Sequence, residues 1–175
     1  MKPAKATMDD LERMLPESPS TERVCLKLAQ ILHVNRNEVA LLRLEKNSLR
    51  FVFPPELRAA GVLPLSGSAV AARTAATRTS LLSNSFPRVR HVSLFESVKL
   101  GGVEDESSQQ MPIQKIMSVP LVNSEGNVLG VVQVSRKGPD VSLAGSDFTG
   151  GDLKQLEKAA EILARMSFMQ EGVEI

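Results

Sequence analysis

The sequence predicts an α+β domain in which a five- or six-stranded antiparallel sheet is flanked by helices, with the N- and C-terminal helices packed together on one face. Three observations predict this class. Two pairs of apolar segments are each joined by a short polar turn, amphipathic helical segments lie at both ends of the chain, and one segment is apolar on both of its faces. A strand of that last kind needs cover on two sides, which helices provide.

A central β-hairpin is predicted between residues 115 and 137. Segments 116–122 and 128–135 are rich in β-branched residues, which favour strands. The polar turn between them contains Gly126, which can adopt the positive φ that tight turns require. Segment 128–135 is apolar at successive positions, as is typical of a central strand.

The other elements follow from apolar periodicity and from capping residues. Thr7 and Asp10 form a capping-box pattern for a brief first helix, and Thr149 with Asp152 forms one for the last helix. Alternating apolar residues predict strands. The predicted elements are, in order, helix 7–15, helix 19–33, strands 39–44 and 49–53, helix 67–74, strand 77–82, the central hairpin and helix 152–170.

Composition limits the classes of function. The chain has 175 residues, of which 42% are hydrophobic, and a formal net charge of +1. This fits one domain at 18–170 between a lead at 1–17 and a tail at 171–175. Trp and Tyr are absent and Phe occurs six times, so the stacking surface typical of single-stranded nucleic-acid binding is missing. We expect no nucleic-acid partner.

Cysteine and histidine usage excludes further classes. The single Cys25 cannot form an intramolecular disulfide or a multi-cysteine metal site, and His33 and His91 are too far apart in sequence for a ligand pair at metal spacing. No segment has the roughly 20 apolar residues of a membrane span, and the N terminus has no apolar signal core. We therefore expect a cytoplasmic protein with no metal centre and no membrane association.

The last predicted helix has a wide apolar arc. One side of the arc can pack on the sheet, whereas Ala159, Ile162, Met166 and Met169 need a second surface. That surface is either the second helix of the same chain or a second copy of the chain. We predict a homodimer interface at these four residues, with packing inside the chain as the alternative.

Four segments together point to a known family. They are LSGSAVAART at 65–74, IMSVPL at 116–121, GVVQV at 130–134 and FTGGD at 148–152. In order and spacing they resemble the GAF domain, the small-molecule-binding module of signalling proteins, over roughly residues 20–167. The resemblance implies a GAF/PAS-like antiparallel sheet flanked by helices.

Three subclasses of this family do not fit the residues. Cyclic-nucleotide-binding members often carry an Asn-Lys, Phe, Asp-Glu signature, but the matching positions here are Arg136-Lys137, Phe148 and Asp152-Leu153. Covalent bilin attachment needs a Cys after the middle strand, whereas the only Cys lies in the first long helix. Methionine-sulfoxide-reducing members use several cysteines, and one cannot form the required disulfide. The cofactor stays unknown, and no enzyme activity is expected.

Residues 57–95 contain five arginines and no acidic residue. Guanidinium groups bind carboxylates and phosphates through paired hydrogen bonds, and the resemblance places the ligand cavity between the sheet and this region. We expect a site for a small, anionic ligand, unless acids elsewhere, such as those at 104–106, pair with these arginines. The predicted ligand-binding residues are Arg88, Arg90, His91, Phe86, Phe95, Ser118 and Gln133.

The predicted function is that of a small-molecule-binding sensory or regulatory module in signal transduction. The alternative is a ligand-free GAF-fold module for dimerisation or protein interaction. The 175 residues include no predicted effector domain after the last helix, so we expect the output to act in trans on a signalling partner or to belong to a longer gene product.

Overall fold

A computed structural model of the chain describes residues 6–86 and 112–170. The helices in these ranges are α1 (Met8–Glu12), α2 (Thr21–Leu32), α3 (Val70–Thr77) and α4 (Gly150–Leu163). The strands are β1 (Val39–Glu45), β2 (Ser48–Phe53), β3 (Val62–Pro64), β4 (Leu81–Ser83), β5 (Ile113–Val122) and β6 (Val128–Lys137). Short 3-10 helices lie at Leu15–Glu17, Arg36–Glu38, Pro55–Ala60 and Ser167–Met169.

The six strands form one sheet in the order β3-β2-β1-β6-β5-β4, and all neighbouring strands are antiparallel. This confirms the predicted fold class and the central position of β6. The prediction missed β3, because a three-residue strand that ends in Pro64 has too little apolar alternation to be recognised.

The two faces of the sheet bury different clusters. Alternation along β1 and β6 directs Leu41 and Val132 to one face, where α1, α2 and α4 pack together over them. We call this the three-helix face. Leu42 and Val131 point the other way and lie in a cluster with alanines of α3. We call this the α3 face. Because α1 contacts both α2 and α4, the N- and C-terminal helices share one face, as predicted.

The small-residue helix and the strand after it lie further along the chain than expected. The prediction placed the helix at 67–74 and the strand at 77–82. Gly67 instead closes a turn by donating from its N–H to the Pro64 carbonyl, and α3 begins at Val70. Arg78 ends α3 in the left-handed conformation with a φ of 56°, so β4 starts only at Leu81.

The last helix is shorter than the predicted 152–170. It ends at Leu163, and residues 164–170, which we call the C-terminal strap, turn back onto the sheet. Arg43 of β1 donates to the Phe168 carbonyl at 3.3 Å and to the Gln170 carbonyl at 2.9 Å. The Gln170 side chain donates to the Ala164 carbonyl at 2.8 Å. These side-chain donors satisfy strap carbonyls, two of which would also lack an internal partner at the end of a helix that ran to residue 170.

The wide apolar arc of the C-terminal region is covered by its own chain. Relative exposures are 0% for Ala159 and 1% each for Ile162, Met166 and Met169. All four belong to the cluster of the three-helix face, together with residues of α1 and α2. The alternative of packing inside the chain therefore accounts for the arc, and as they lie here these four side chains offer no free surface to a second copy.

Candidate functional site

A small cavity lies on the α3 face, at the end of the sheet where β1 begins and β6 ends. Its volume is about 20 Å³, which is room for about one water molecule. Apolar side chains make up most of its wall, and polar groups enter from the ends of the strands. The lining residues are Asn37, Glu38, Val39, Ala40, Phe51, Ile113, Ile116, Gln133 and Ser135.

A chain of buried hydrogen bonds runs from this cavity to α3. The Thr74 hydroxyl donates to the Val70 carbonyl at 2.9 Å. It must therefore accept from the Ser118 hydroxyl, which lies 2.8 Å away. Ser118 in turn accepts from the Gln133 amide at 3.1 Å. We call Thr74, Ser118 and Gln133 the polar trio.

The elements that position the polar trio are the centre of the sheet and the helix above it. Ser118 and Gln133 are directly opposite each other in the β5–β6 ladder, and α3 brings Thr74 over Ser118. The three residues are only 3%, 0% and 7% exposed. Burial of polar groups is tolerable here because each is hydrogen-bonded to the next.

Glu38 lines the other end of the cavity with a carboxylate that is almost fully buried. Its oxygens accept from the backbone N–H groups of Asn35 at 2.8 Å and Lys137 at 2.6 Å. The first bond is part of a capping box for the short helix Arg36–Glu38. Two backbone donors therefore fix the carboxylate in place.

Lys137 lies beside Glu38 at the end of β6. Its ammonium donates to the Asn37 carbonyl at 2.7 Å. Partial burial lowers the pKa of Lys137 from 10.5 to about 8, because desolvation disfavours the charged form; the nearby Glu38 charge opposes this shift without cancelling it.

The structure brings three of the seven predicted ligand-binding residues to the α3 face. Ser118 and Gln133 belong to the polar trio. Phe86 is 1% exposed and packs in a buried cluster with Ile113 and Ile116, both of which line the cavity. The predictions for Arg88, Arg90, His91 and Phe95 lie outside the described residues.

Sequence reasoning missed Glu38 and Thr74. The capping-box pattern of Asn35 and Glu38 was a signal for the first, because it predicts a locally fixed carboxylate. Thr74 had no local signal. Its partner Ser118 is 44 positions away, and only the tertiary fold brings the two hydroxyls together.

A larger open groove of about 1020 Å³ lies along α1 and α2. The arginines at this groove pair with acids of their own neighbourhood, as Arg13 does with Asp10 and Arg23 with Glu17 at 2.9 Å. Exposed, internally paired charges of this kind are poor anchors for a ligand. The α3-face cavity is therefore the better candidate site.

Metal binding, thiol chemistry and membrane insertion have little support in the described ranges. Across 6–86 and 112–170, no group of three or more His, Cys, Asp or Glu residues could hold a metal ion. Cys25 is 1% exposed, and burial raises the pKa of its thiol strongly. None of the described helices is long and apolar enough to cross a membrane.

Solved structures of the same fold cover nearly the whole chain. The GAF domain of an Acinetobacter phosphoenolpyruvate-protein phosphotransferase is 15% identical with a TM-score of 0.63, and 96% of each chain is covered. The GAF domain of A. aeolicus nlh2, in an inactive state, is 11% identical with a TM-score of 0.65, covering 93% of this chain and 94% of its own. These identities show a shared fold alone.

An enzyme also shares the fold. The free methionine-R-sulfoxide reductase of Neisseria meningitidis, in complex with its substrate, is 15% identical with a TM-score of 0.66, and the match covers 99% of this chain and 96% of that one. Among curated proteins, none matches the sequence significantly.

The family model for the GAF domain matches residues 20–166. This span runs from the start of α2 to beyond the end of α4 and contains the complete six-stranded sheet. The GAF fold serves small-molecule binding and regulation. The chain belongs to the GAF domain family.

Proposed function

We propose that this GAF domain is a regulatory module that binds a small cytoplasmic molecule on its α3 face. The polar trio is the observation that carries the proposal. Binding sites for small molecules are mostly apolar, with a few fixed polar groups that orient the ligand. The trio and Glu38 supply such groups beside the apolar side chains of Phe51, Ile113 and Ile116.

Binding on this face requires rearrangement. A cavity of about 20 Å³ admits only about one water molecule, so a larger ligand has to displace side chains around it. A ligand that binds one arrangement better than another shifts the balance between the two. The small volume is thus compatible with a sensor whose bound and free states differ.

The ligand is proposed to be anionic. Arg88, Arg90 and His91 would contact its carboxylate or phosphate, with Phe86 and Phe95 as apolar walls, because the surrounding segment 57–95 contains no acid that would compete. A double variant, Arg88→Ala with Arg90→Ala, should lose affinity about tenfold or more for such an anion. Unchanged affinity would contradict this assignment.

The test of the proposed function is a screen of small carboxylates and phosphates by ligand-observed NMR. Hits should weaken about tenfold in Gln133→Ala, because a buried partner of the ligand is removed. Gln155→Ala, on the exposed side of α4, is the matched control and should bind as the wild type does. Hits that respond equally to both variants would place the ligand elsewhere.

We further propose that the domain does not act as a thiol-dependent reductase. Cys25 is the single cysteine and is 1% exposed, so the chain alone cannot complete a dithiol cycle. Consumption of free methionine-R-sulfoxide with dithiothreitol as reductant should equal the blank. Turnover that disappears in Cys25→Ala would overturn this proposal.

A second candidate function is a ligand-free docking or dimerisation module that acts in trans, and the small cavity favours it. A homodimer would have to use surfaces other than Ala159, Ile162, Met166 and Met169, which the chain itself covers. Light scattering during size-exclusion chromatography distinguishes a monomer from a homodimer. A dimer with no hits in the screen supports this second function, whereas hits support the first.

A further inference from the structure

Lys137 is surrounded by residues that line the α3-face cavity. Its Cα partner across the β5–β6 ladder is Ile113. Ser135 precedes it on the same face of β6, by alternation, and its ammonium donates to the Asn37 carbonyl. All three neighbours line the cavity. The side chain is only partly buried, so small reagents can reach it.

The ammonium of Lys137 is not matched by a carboxylate at ion-pair distance. Among the ion pairs of the described residues, none includes Lys137. Glu38 is near, but its oxygens are engaged by backbone N–H groups. Lys115 shows the contrast, because its ammonium pairs with Asp147 at 2.8 Å.

A lysine in this environment is a better nucleophile than an exposed one. Burial without a paired carboxylate favours the neutral amine, and the pKa of Lys137 of about 8 agrees with that geometry. Near neutral pH, a substantial fraction of such an amine is unprotonated, compared with roughly one part in a thousand for an ordinary lysine. The neutral amine is the form that attacks carbonyl carbons.

We propose that Lys137 is a reversible covalent anchor that captures a small aldehyde as an imine beside the α3-face cavity, next to the lining residues Asn37, Ile113 and Ser135. This inference rests on the proposed ligand site and adds to it a second ligand class, an uncharged aldehyde held covalently, beside the anion proposed above. Because the cavity has room for only about one water molecule, the smallest aldehyde, formaldehyde, is the one expected to enter without displacing side chains.

The reaction needs no oxidant or reductant. The Nζ lone pair attacks the carbonyl carbon, a proton moves from nitrogen to oxygen, and the resulting carbinolamine loses one water molecule to leave the C=N bond. The imine nitrogen can take up a proton, and the charge of the nearby Glu38 carboxylate favours this without forming an ion pair. Hydrolysis by one water reverses the reaction.

The test is reductive trapping with formaldehyde and cyanoborohydride at pH 7.5, followed by peptide mapping over time. Cyanoborohydride converts each imine into a stable methylamine, and mapping separates the lysines from the α-amino group. Lys137 should be methylated about tenfold faster than Lys154 and Lys158, which are exposed on α4.

Two variants complete the design. Lys137→Arg keeps the positive charge and should abolish the fast phase of lysine methylation, which we assign to Lys137. Lys154→Arg should leave this fast phase unchanged. Circular dichroism establishes that both variants are folded. Without reductant, dialysis should return the wild type to its original mass.

Methylation of Lys137 no faster than that of Lys154, or a fast lysine phase that persists in Lys137→Arg, would overturn the inference. Neither result bears on the Gln133→Ala screen, which tests non-covalent binding. Failure of this inference and failure of the proposed function are therefore distinguishable.

Discussion

Gly130 allows the C-terminal strap to approach the sheet. It is opposite Arg43 in the β1–β6 ladder. A Cβ atom at this position would overlap the Leu42 carbonyl oxygen and would lie 2.8 Å from the Met169 Cε atom. The methyl end of Met169 can move, but the backbone of the central strand β1 cannot move easily.

Gly130→Ala should therefore lower the free energy of unfolding by about 2 kcal/mol. Gly150→Ala is the matched control, because its Cβ would meet open space, and its effect should stay within about 0.5 kcal/mol. Urea denaturation measures both. Equal effects of the two substitutions would contradict the close packing at Gly130.

Cys25 should be unreactive in the native protein. The thiol is 1% exposed, and burial raises its pKa, so little thiolate is present at pH 8. Ellman's reagent should label native protein at least about 100-fold more slowly than protein in 6 M guanidinium, where one equivalent reacts. Rapid stoichiometric labelling of the native state would contradict burial of this thiol in the cluster of the three-helix face.

The surface ion pair between Glu56 and Arg36 should make the stability of the protein depend on pH in the acidic range. The hydrogen bond from Arg36 lowers the pKa of Glu56 from 4.5. A lowered native pKa means that the contribution is present above the unfolded pKa and is lost as the pH falls through the native pKa. Since the Glu56 side chain is 58% exposed, the contribution is about 0.5 kcal/mol.

Glu56→Gln should therefore be less stable than the wild type at pH 7, and the difference should be smaller near pH 3. Urea denaturation at both pH values measures the difference. Glu161→Gln, on the exposed side of α4, controls for the loss of one charge. A deficit of the same size at both pH values would argue against the ion pair as its source.

At the scale of single residues, the sequence identified the candidate site residues that lie within recognisable strands, and their ligand-binding role stays a prediction. Ser118 and Gln133 are polar residues within apolar strands, and the sheet register makes them neighbours. Thr74 could not be predicted in the same way, since its hydrogen bonds depend on how α3 sits on the sheet.

At the scale of elements, the C-terminal strap connects the end of α4 to the central strand. Arg43 is 7% exposed and donates hydrogen bonds to two backbone carbonyls of the strap. The same strand lines the cavity with Val39 and Ala40. Strand β1 therefore contributes residues to both the cavity and the attachment of the strap.

Arg43→Gln should loosen the strap. Hydrogen exchange of peptides covering 166–170 should become about tenfold faster, because two charge-assisted hydrogen bonds are weakened. Arg50→Gln is the matched control, since Arg50 pairs with Arg43 across β1 and β2 but is exposed and bonds to Glu45. Unchanged exchange in Arg43→Gln would show that apolar packing alone holds the strap.

Element prediction succeeded where periodicity and turn chemistry agreed, as in the β5–β6 hairpin around Gly126, which has a φ of 85°. It failed at the end of α4. Met166 and Met169 continue the helical stripe in sequence, yet they are buried by a segment that has left the helix. A periodic pattern indicates which residues are buried. It does not distinguish burial by a continuing helix from burial by a segment that folds back after the helix has ended.

At the scale of the whole molecule, the two faces of the sheet bury different sets of residues. The three-helix face holds the largest apolar cluster, which stabilises the domain. The α3 face carries the polar trio and the cavity. The family resemblance led us to predict a ligand site between the sheet and the middle region of the chain, which stays a prediction, whereas the water-sized volume of the cavity became evident only in three dimensions.

Native mass spectrometry of gently purified protein tests the central claim most directly, because it reports any retained small molecule together with the number of subunits. We predict a reproducible added mass on the wild type and on Gln155→Ala, and its loss from Gln133→Ala. The bare mass of the chain in all three proteins, together with no hits among the small anions, would contradict ligand binding on the α3 face.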